Sequence, residues 1–169
     1  MGYRNKTYVV FDGDEDKWAY GFMLGWKKNE HVDFDFHDAH EIFKLTANAQ
    51  DEDYIKRALK ERFKSAKQVI VLVGEGTKHL YKYVRWELEV AIGLDLPIIA
   101  VNIADVKKRR MDQEHCPPII RDRYVMHVSF NAAIIKYAMD NFAEKYAENK
   151  KTKTGPYYYT DEVYEKLGL

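Results

Sequence analysis

The chain has 169 residues, 46% of them hydrophobic, which suits a single domain with one substantial core. Lysine plus arginine and aspartate plus glutamate both number 27, so no net charge attracts the protein to nucleic acid or to anionic lipid. The one basic run, 107–110, precedes a Cys-Pro-Pro turn and is predicted to be a solvated loop. We therefore expect no nucleic-acid partner and no membrane partner.

Cysteine usage and the lack of long apolar segments indicate the cellular setting. Cys116 is the single cysteine, so the chain can form neither an internal disulfide nor a zinc site built from thiolates. The first residues lack the apolar segment of a signal peptide, and the apolar stretch 94–103 is interrupted by Asp95 and too short to span a bilayer. We expect a soluble protein of the reducing cytoplasm that holds no metal.

Short apolar runs alternate along the chain with amphipathic segments, a pattern typical of strand-helix repeats around a parallel sheet. The predicted strands are 7–11, a weak 32–36, 68–73, 96–102 and 124–128. The predicted helices are 16–27, 51–66, 79–94 and 131–149, with an irregular connection over 105–122. This order predicts an α/β fold: a five-stranded parallel sheet, doubly wound and flavodoxin-like.

The last twenty residues differ in character from the rest. Residues 150–169 begin with a polar linker and then carry a series of aromatic and aliphatic side chains, Tyr157, Tyr158, Tyr159, Val163, Tyr164 and Leu167. Such a segment is too aromatic to be a free tail. We predict a domain over 1–149 and a tail over 150–169 that docks on the domain or on a neighbouring subunit.

One carboxylate stands where the pattern requires a core side chain. On a helix over 79–94, at about 100° per residue, one face carries Leu80, Tyr83, Val84, Val90, Ala91 and Leu94. Glu87 points within about 20° of the middle of that face. An ionised carboxylate there is costly unless it belongs to a pocket or a network, so Glu87 is the first catalytic candidate. Alternatively, an internal Arg or Lys tethers Glu87, or the helix leaves the core at that point.

Several polar segments follow the predicted strands, and ligands of parallel sheets gather at the carboxyl ends of strands. The first strand is followed by the acids of 12–16, the second by the His- and Asp-rich run 36–41, and the third by the turn 74–77. The segment from His37 to Gln50 is long for such a connection, which favours a binding or assembly loop. Alternatively, it holds an extra helical turn around Ile42, Phe43 and Leu45.

The acids after the first strand allow several interpretations. A receiver domain needs an Asp after the third strand and a Lys after the fifth, and the sequences VLVGEG and HVSF supply neither. A haloacid-dehalogenase-type phosphatase begins with a motif like VVFDGDE but also needs a later acidic metal pair, so this class is kept only as an alternative. Glu15 and Asp16 are also explained as acids at a helix start, where the helix dipole favours them. The Gly74-x-Gly76 turn lacks the third glycine of a dinucleotide fingerprint.

The chain resembles a TIR domain, specifically the bacterial and archaeal TIR-like proteins that include the signal-producing subunit of Thoeris anti-phage defence. The similarity covers roughly residues 5–145 and rests on TYVVFDGDED, DFDFHDAHE, CPPIIRD and the central block 64–103. Within that block, Tyr83 to Glu87 matches the aromatic-x-x-x-Glu motif whose Glu is catalytic in TIR enzymes that cleave NAD. The family usually has Trp at position 83, and Ser or Arg often stands where this chain has Asp12.

This resemblance implies an NAD glycohydrolase or cyclase in which NAD is the substrate and no cofactor is needed. Glu87 would be catalytic, Phe11 and Trp86 would form stacking surfaces of the binding site, and Tyr83 would be a further binding residue. Asp12 and Asp38 would accept hydrogen bonds from ribose hydroxyls. Loss of nicotinamide would give ADP-ribose or a cyclic ADP-ribose-type product.

The resemblance also implies partners. TIR enzymes generally act as assemblies, so a homo-oligomer is expected through the loop from His37 to Gln50, and the nucleotide product would signal to a downstream effector. The alternative from another functional class is a non-catalytic TIR-like module that only assembles with partners.

Overall fold

The computed structural model of the protein describes residues 5–29, 34–39, 51–79 and 82–169. The strands of these segments are β1 (Lys6–Val10), β2 (His37–Asp38), β3 (Ala66–Val73), β4 (Ile98–Asn102), β5 (Met126–Ser129) and β6 (Tyr157–Tyr158). They form one sheet in the order β2-β1-β3-β4-β5-β6, and every neighbouring pair is parallel. The prediction of a parallel α/β fold is confirmed, but the number of strands is corrected from five to six.

Helices cover both faces of this sheet. They are α1 (Lys17–Lys28), α2 (Glu52–Phe63), α3 (Lys82–Gly93), α4 (Pro118–Arg121), α5 (Ala132–Asn149) and α6 (Asp161–Lys166), and a 3₁₀ turn, Thr77–His79, precedes α3. Buried side chains of α2, α3 and α4 pack on one face, and those of α1, α5 and α6 pack on the other. The arrangement is therefore doubly wound, as in flavodoxin-like folds.

The central strand β3 shows why the sheet is buried on both sides. Its residues alternate between the two cores: Val69, Val71 and Val73 face α2 and α3, whereas Ile70 and Leu72 face α1 and α5. All five are fully buried. A strand covered on both faces has a continuous apolar sequence instead of an alternating one, which is why this strand was the strongest in the sequence pattern.

The second strand lies later in the chain than predicted. Of the predicted span 32–36, residues 32–33 lie outside the described part, and Phe34 and Phe36 are buried without joining the sheet. The carbonyl of Phe36 accepts a hydrogen bond of 2.7 Å from Lys27 Nζ. β2 follows at once, with His37 and Asp38 in register with Tyr8 and Val9. The aromatic run that suggested a strand instead fills the core beside α1.

The C-terminal tail is part of the folded domain. β6 extends the sheet by pairing with β5, and Tyr164 of α6 is fully buried. The hydroxyl of Tyr164 accepts a hydrogen bond of 3.3 Å from the backbone N–H of Ser129 at the end of β5. Tyr159, Val163 and Leu167 pack against the same core.

Two cations of the basic run hold this tail in place. The Arg109 guanidinium lies 4.3 Å from the ring centroid of Tyr164 and forms an ion pair of 3.3 Å with Asp161. The Arg110 guanidinium lies 4.7 Å from the ring centroid of Tyr158. The basic run is an irregular loop in which Arg109 is partly exposed and Arg110 is exposed, so the prediction of a solvated loop is confirmed, and the two arginines also make cation–π contacts with the tail.

Within the described segments, no helix is both long and apolar enough to cross a bilayer. Cys116 is buried, and this burial raises the pKa of its thiol to about 12. Its thiol therefore stays protonated at neutral pH.

Shortening the side chain of Tyr164 should measure how strongly the tail contributes to stability. Tyr164→Phe leaves the Ser129 N–H without its hydroxyl acceptor, and we expect a loss of about 1–3 kcal/mol in the free energy of unfolding. Tyr164→Ala also removes a buried ring and should cost about 3–5 kcal/mol. Urea denaturation checks both values, with Tyr158→Phe as the control because that side chain is 41% exposed. Equal stability of all three variants would contradict the packing described for the tail.

Candidate functional site

Glu87 is fully buried in α3, with a relative exposure of 0%. It lies in the second turn, about 7.5 Å along the axis from the first residue of the helix. Because α3 follows the carboxyl end of β3 and runs back along the sheet, this turn is near the edge where parallel strands present ligand sites. The helix therefore carries a carboxylate into the interior beside that edge.

The rest of α3 is more deeply buried than one amphipathic stripe would predict. Val84, Trp86, Leu88, Val90 and Ala91 all belong to the core between α3 and the sheet, whereas Leu80 of the predicted apolar face lies outside the described residues. Trp86 is 8% exposed. The burial of positions on several sides of α3 reflects its packing against α2 as well as against the sheet.

Two aromatic rings lie on the same helix as Glu87. The rings of Tyr83 and Trp86 meet edge to face, with centroids 5.7 Å apart and planes at 88°. Tyr83 is partly buried and precedes Glu87 by one helical turn, so the two side chains lie on one face of α3. Of the predicted binding residues, Tyr83 is therefore the one that the backbone places directly beside Glu87.

Phe11 and Asp12 follow β1, but they face different surroundings. Phe11 is 4% exposed and stacks on Tyr20 of α1, with ring centroids 4.5 Å apart, on the face of the sheet opposite to α3. Asp12 is 7% exposed, and its carboxylate accepts hydrogen bonds from the backbone N–H groups of Asp14 (3.0 Å) and Glu15 (3.4 Å). Phe11 is thus a core residue of the α1 side, whereas Asp12 shapes the turn at the carboxyl edge.

Asp38 lies at the outer edge of the sheet in β2. Its backbone carbonyl accepts a hydrogen bond of 2.7 Å from Arg62 Nη2, and the Arg62 guanidinium lies 5.0 Å from the ring centroid of Tyr8. This arginine fixes the start of the segment that the sequence predicts to be an assembly loop. Residues 40–50 of that loop, including Ile42, Phe43 and Leu45, lie outside the described part of the chain.

A tight junction between two loops was not predicted from the sequence. Asp16, after β1, is 4% exposed, and its carboxylate accepts a hydrogen bond of 3.2 Å from the Thr77 hydroxyl, which itself accepts one of 2.8 Å from the Gly74 N–H. A Cβ on Gly74 would lie 2.2 Å from Asp16 Oδ1, and one on Gly76 would lie 2.3 Å from Glu15 Oε2. The two glycines therefore permit close approach of the β1–α1 and β3–α3 loops. One signal for this junction was present in the sequence. Both the acids 12–16 and the Gly-x-Gly-Thr run 74–77 come directly after predicted strands.

Asp16 lies at the start of a helix, as predicted, but other contacts also act on its carboxylate. Asp16 occupies the N-cap position of α1, but its side chain makes no cap hydrogen bond. The pKa of Asp16 is raised to about 6, mainly by burial and also by the neighbouring carboxylates Asp12 and Glu15, whereas the hydrogen bond from Thr77 opposes the shift. Burial at the loop junction is therefore the largest influence on the charge state of this group.

An open cleft of about 400 Å³ lies beside this junction. It is lined by Glu15, Asp16, Trp18, Gly74, Glu75, Ile103 and Ala104 and contains none of the six predicted site residues. Among the residues that the structure describes, no three His, Cys, Asp or Glu side chains are grouped so that they could hold a metal ion.

The predicted site residues thus fall into three groups. Tyr83, Trp86 and Glu87 share one helix, and Asp12 lies beside the loop that leads to this helix, since its Oδ2 would be 3.6 Å from a Cβ on Gly76. Asp38 lies two strands away from β3, beyond β1. Phe11 faces the other core.

The fold and the buried glutamate of α3 define a TIR-type α/β domain. The family described as Thoeris protein ThsB, TIR-like domain, matches residues 8–108, and the chain belongs to this family. The match runs from β1 through β4 and includes Glu87, so the resemblance drawn from the sequence is confirmed. No curated protein sequence matches the chain.

The pH dependence of stability should reveal the buried carboxyl group of Asp16. Its folded pKa of about 6 lies above the ordinary aspartate value of 3.8, so its contribution to stability is present at low pH and is lost as pH rises from about 4 to about 6. Asp16→Asn can still accept from Thr77 but does not ionise. We expect the unfolding free energy of Asp16→Asn, relative to the parent, to increase by up to about 3 kcal/mol between pH 4 and pH 7.

The test compares the unfolding free energies of Asp16→Asn and the parent at each pH, because His127 changes the stability of both proteins in the opposite direction over the same pH range. His127 is fully buried, and burial lowers its pKa to about 4. The free energy of unfolding therefore decreases as pH falls from about 6.5 to about 4. Since both proteins contain His127, its effect cancels in the comparison. Asp14→Asn is the matched control, because Asp14 lies two residues away and is exposed. If the difference in unfolding free energy between Asp16→Asn and the parent does not change with pH, the raised pKa of Asp16 is contradicted.

Proposed function

We propose that this TIR-like domain cleaves the N-glycosidic bond between nicotinamide and ribose in NAD, with Glu87 as the catalytic residue. The observation that carries the proposal is the full burial of the Glu87 side chain in the second turn of α3, beside the carboxyl edge of the sheet. Membership of the Thoeris TIR-like family supports it, because the matched region includes this glutamate.

The chemistry requires a negative charge near the reacting ribose. As nicotinamide leaves, the ribose becomes an oxocarbenium-like cation, and a fixed carboxylate stabilises that cation more strongly in a dry site than in water. Nicotinamide departs from NAD as a neutral molecule, so the leaving group needs no general acid. Capture of the ribose by water would give ADP-ribose, whereas capture by a nucleophile within the same molecule would give a cyclic ADP-ribose-type product.

The other predicted residues are supported to different degrees. Tyr83 and Trp86 lie on the same helix as Glu87, which supports a role in stacking against a base of NAD. Asp12 follows β1 and Asp38 is the last residue of the neighbouring β2, which supports a role for both as acceptors for ribose hydroxyls. Phe11 has the weakest support, because its ring stacks on Tyr20 on the opposite face of the sheet.

The proposal includes a cellular role in the cytoplasm. NAD is a substrate here, and the nucleotide product would carry a signal to a downstream effector in anti-phage defence. A homo-oligomer through the loop from His37 to Gln50 would complete the site. Arg62 supports this arrangement because it fixes Asp38, from which the loop starts.

A pair of isosteric variants on one helix tests the catalytic role. Glu87→Gln removes the negative charge beside the ribose, and we expect nicotinamide release to fall by about 10²–10⁴-fold. Glu89→Gln is the matched control, because Glu89 is two residues away and forms ion pairs with Lys56 (2.6 Å) and Arg85 (2.9 Å) at the surface. Chromatography of the products formed from NAD measures release for both variants, and circular dichroism confirms that each is folded.

The control should keep at least half of the parent's turnover, because Glu89 is partly exposed and ion pairs in contact with water contribute only about 0–1 kcal/mol to stability. Turnover by Glu87→Gln equal to that of the parent would eliminate the mechanism. A folded parent that releases no nicotinamide in its assembled form would favour the assembly-only module.

A further inference from the structure

The Thr77 hydroxyl lies at the centre of the loop junction and has one proton but two neighbouring acceptors. These are Oδ2 of Asp16, at 3.2 Å, and the backbone carbonyl of Leu72, also at 3.2 Å. The hydroxyl oxygen itself accepts a hydrogen bond of 2.8 Å from the Gly74 N–H. All four residues are buried. Because a hydroxyl group donates only once, Thr77 cannot donate to both oxygens at the same time.

The protonation state of Asp16 decides how many of these contacts are hydrogen bonds. A protonated Asp16 donates to the Thr77 oxygen, which leaves the Thr77 proton for the Leu72 carbonyl, so all three contacts of the hydroxyl are bonds. An ionised Asp16 has no proton to donate. Thr77 then either donates to Asp16 and loses the bond to Leu72, or leaves a buried carboxylate facing an oxygen. Ionisation therefore removes one hydrogen bond between buried groups.

The charges around Asp16 act in the same direction. The carboxylates of Asp12 and Glu15 interact with it through space, and Glu75 lines the cleft beside it. The other residues of the cleft wall are uncharged, namely Trp18, Gly74, Ile103 and Ala104. In the described part of the chain, no cation lines this cleft. Burial, and to a smaller extent the neighbouring carboxylates, explain why the pKa of Asp16 is raised to about 6.

The junction is too tight for Asp16 to become hydrated in place. Its carboxyl group packs directly against the Gly74 backbone, as shown by the 2.2 Å that would separate Oδ1 from a Cβ there. A buried carboxylate gains its charge at a large cost in solvation unless water reaches it. Water reaches this group only if the loop before α1 and the loop before α3 move apart.

Thr77 is also the first residue of the 3₁₀ turn that precedes α3. Its backbone N–H donates to the Gly74 carbonyl at 3.3 Å, so the turn and the junction form one hydrogen-bonded unit. α3 begins at Lys82, shortly after this turn, and Glu87 follows in its second turn. Movement of Thr77 away from Asp16 therefore changes the position of the start of the helix that carries Glu87.

We propose that protonation of Asp16 closes the junction with Thr77 and restrains the start of α3, and that ionisation releases this restraint, so that Asp16 is a pH-dependent positioning residue for Glu87. The inference rests on the proposed cleavage of NAD, because it concerns the control of that site. A catalytic group displaced by about 1 Å can lose about 10²-fold in rate. Turnover should therefore fall as the junction opens above neutrality.

The pH profile of nicotinamide release tests this control. We expect kcat of the parent to fall by about tenfold between about pH 5.5 and about pH 7.5, with a smaller change in KM, because Glu87 acts on the transition state. Asp16→Asn should not show this fall, because its amide donates to Thr77 as a protonated carboxyl group does and does not ionise. Asp14→Asn is the matched control and should keep the profile of the parent, since Asp14 is exposed. The same fall in Asp16→Asn as in the parent would overturn the proposal.

Two variants of Thr77 separate its hydroxyl group from its packing. Thr77→Ser keeps the hydroxyl and should keep the pH profile of the parent. Thr77→Val has the same shape but leaves Asp16 and the Gly74 N–H without this partner, so kcat should be low and independent of pH over the same range. Circular dichroism confirms that each variant is folded. A folded Thr77→Val protein with the profile of the parent would contradict the role of the hydroxyl.

Hydrogen exchange tests the restraint on α3 without any NAD cleavage. The amides to follow are those of Thr77 and His79, which donate to the carbonyls of Gly74 and Gly76. At about pH 7.5 they should exchange at least about fivefold faster in the parent than in Asp16→Asn, whereas at about pH 5 the two proteins should exchange equally. Comparison of the two proteins at one pH removes the intrinsic pH dependence of exchange.

The two measurements distinguish failure of this inference from failure of the proposed function. A parent that releases no nicotinamide but shows the difference in exchange would support the restraint and remove only the catalytic role of Glu87. Equal exchange of the parent and Asp16→Asn at both pH values would overturn the inference, even in a parent that cleaves NAD.

Discussion

Parallel pairing of all strands is the constraint on which the rest of this structure depends. Each parallel neighbour requires the chain to cross back over the sheet, so helices cover both faces and every strand points toward the same edge. That edge is where the loops after β1 and β3 meet. The closeness of Asp12, Asp16 and Thr77 is thus a consequence of strand direction.

The contact between these loops also positions the helix that carries Glu87. Thr77 is bonded to Asp16 and begins the short turn that leads into α3, so the start of this helix is tied to the end of β1. The raised pKa of Asp16 shows that this junction disfavours an ionised carboxylate. Glu87 itself is fully buried, and a buried carboxylate interacts more strongly with a positive charge than one in water does.

The features that were predictable from sequence are those determined by local periodicity. The apolar run of β3 and the spacing of Ile55, Leu59 and Phe63 in α2 identify buried elements without reference to the rest of the chain. The position of Glu87 within an apolar face is the same kind of signal, and the structure buries it.

The features that were missed depend on contacts between distant segments. β2 and β6 have only two residues each, so neither shows a periodic pattern, and their pairing partners decide where they form. The stacking of Arg109 on Tyr164 and the bond between Thr77 and Asp16 join residues more than 50 positions apart. The order of residues alone does not indicate such pairs.

The pairing of β6 with β5 has a consequence for how the protein is made. Met126 of β5 pairs with Tyr157, and Tyr157 is synthesised only after the whole of α5. Until then, one side of β5 presents unsatisfied amide and carbonyl groups to any extended peptide nearby. Nascent chains halted before Tyr157 would therefore be the species most prone to aggregate by adding foreign strands.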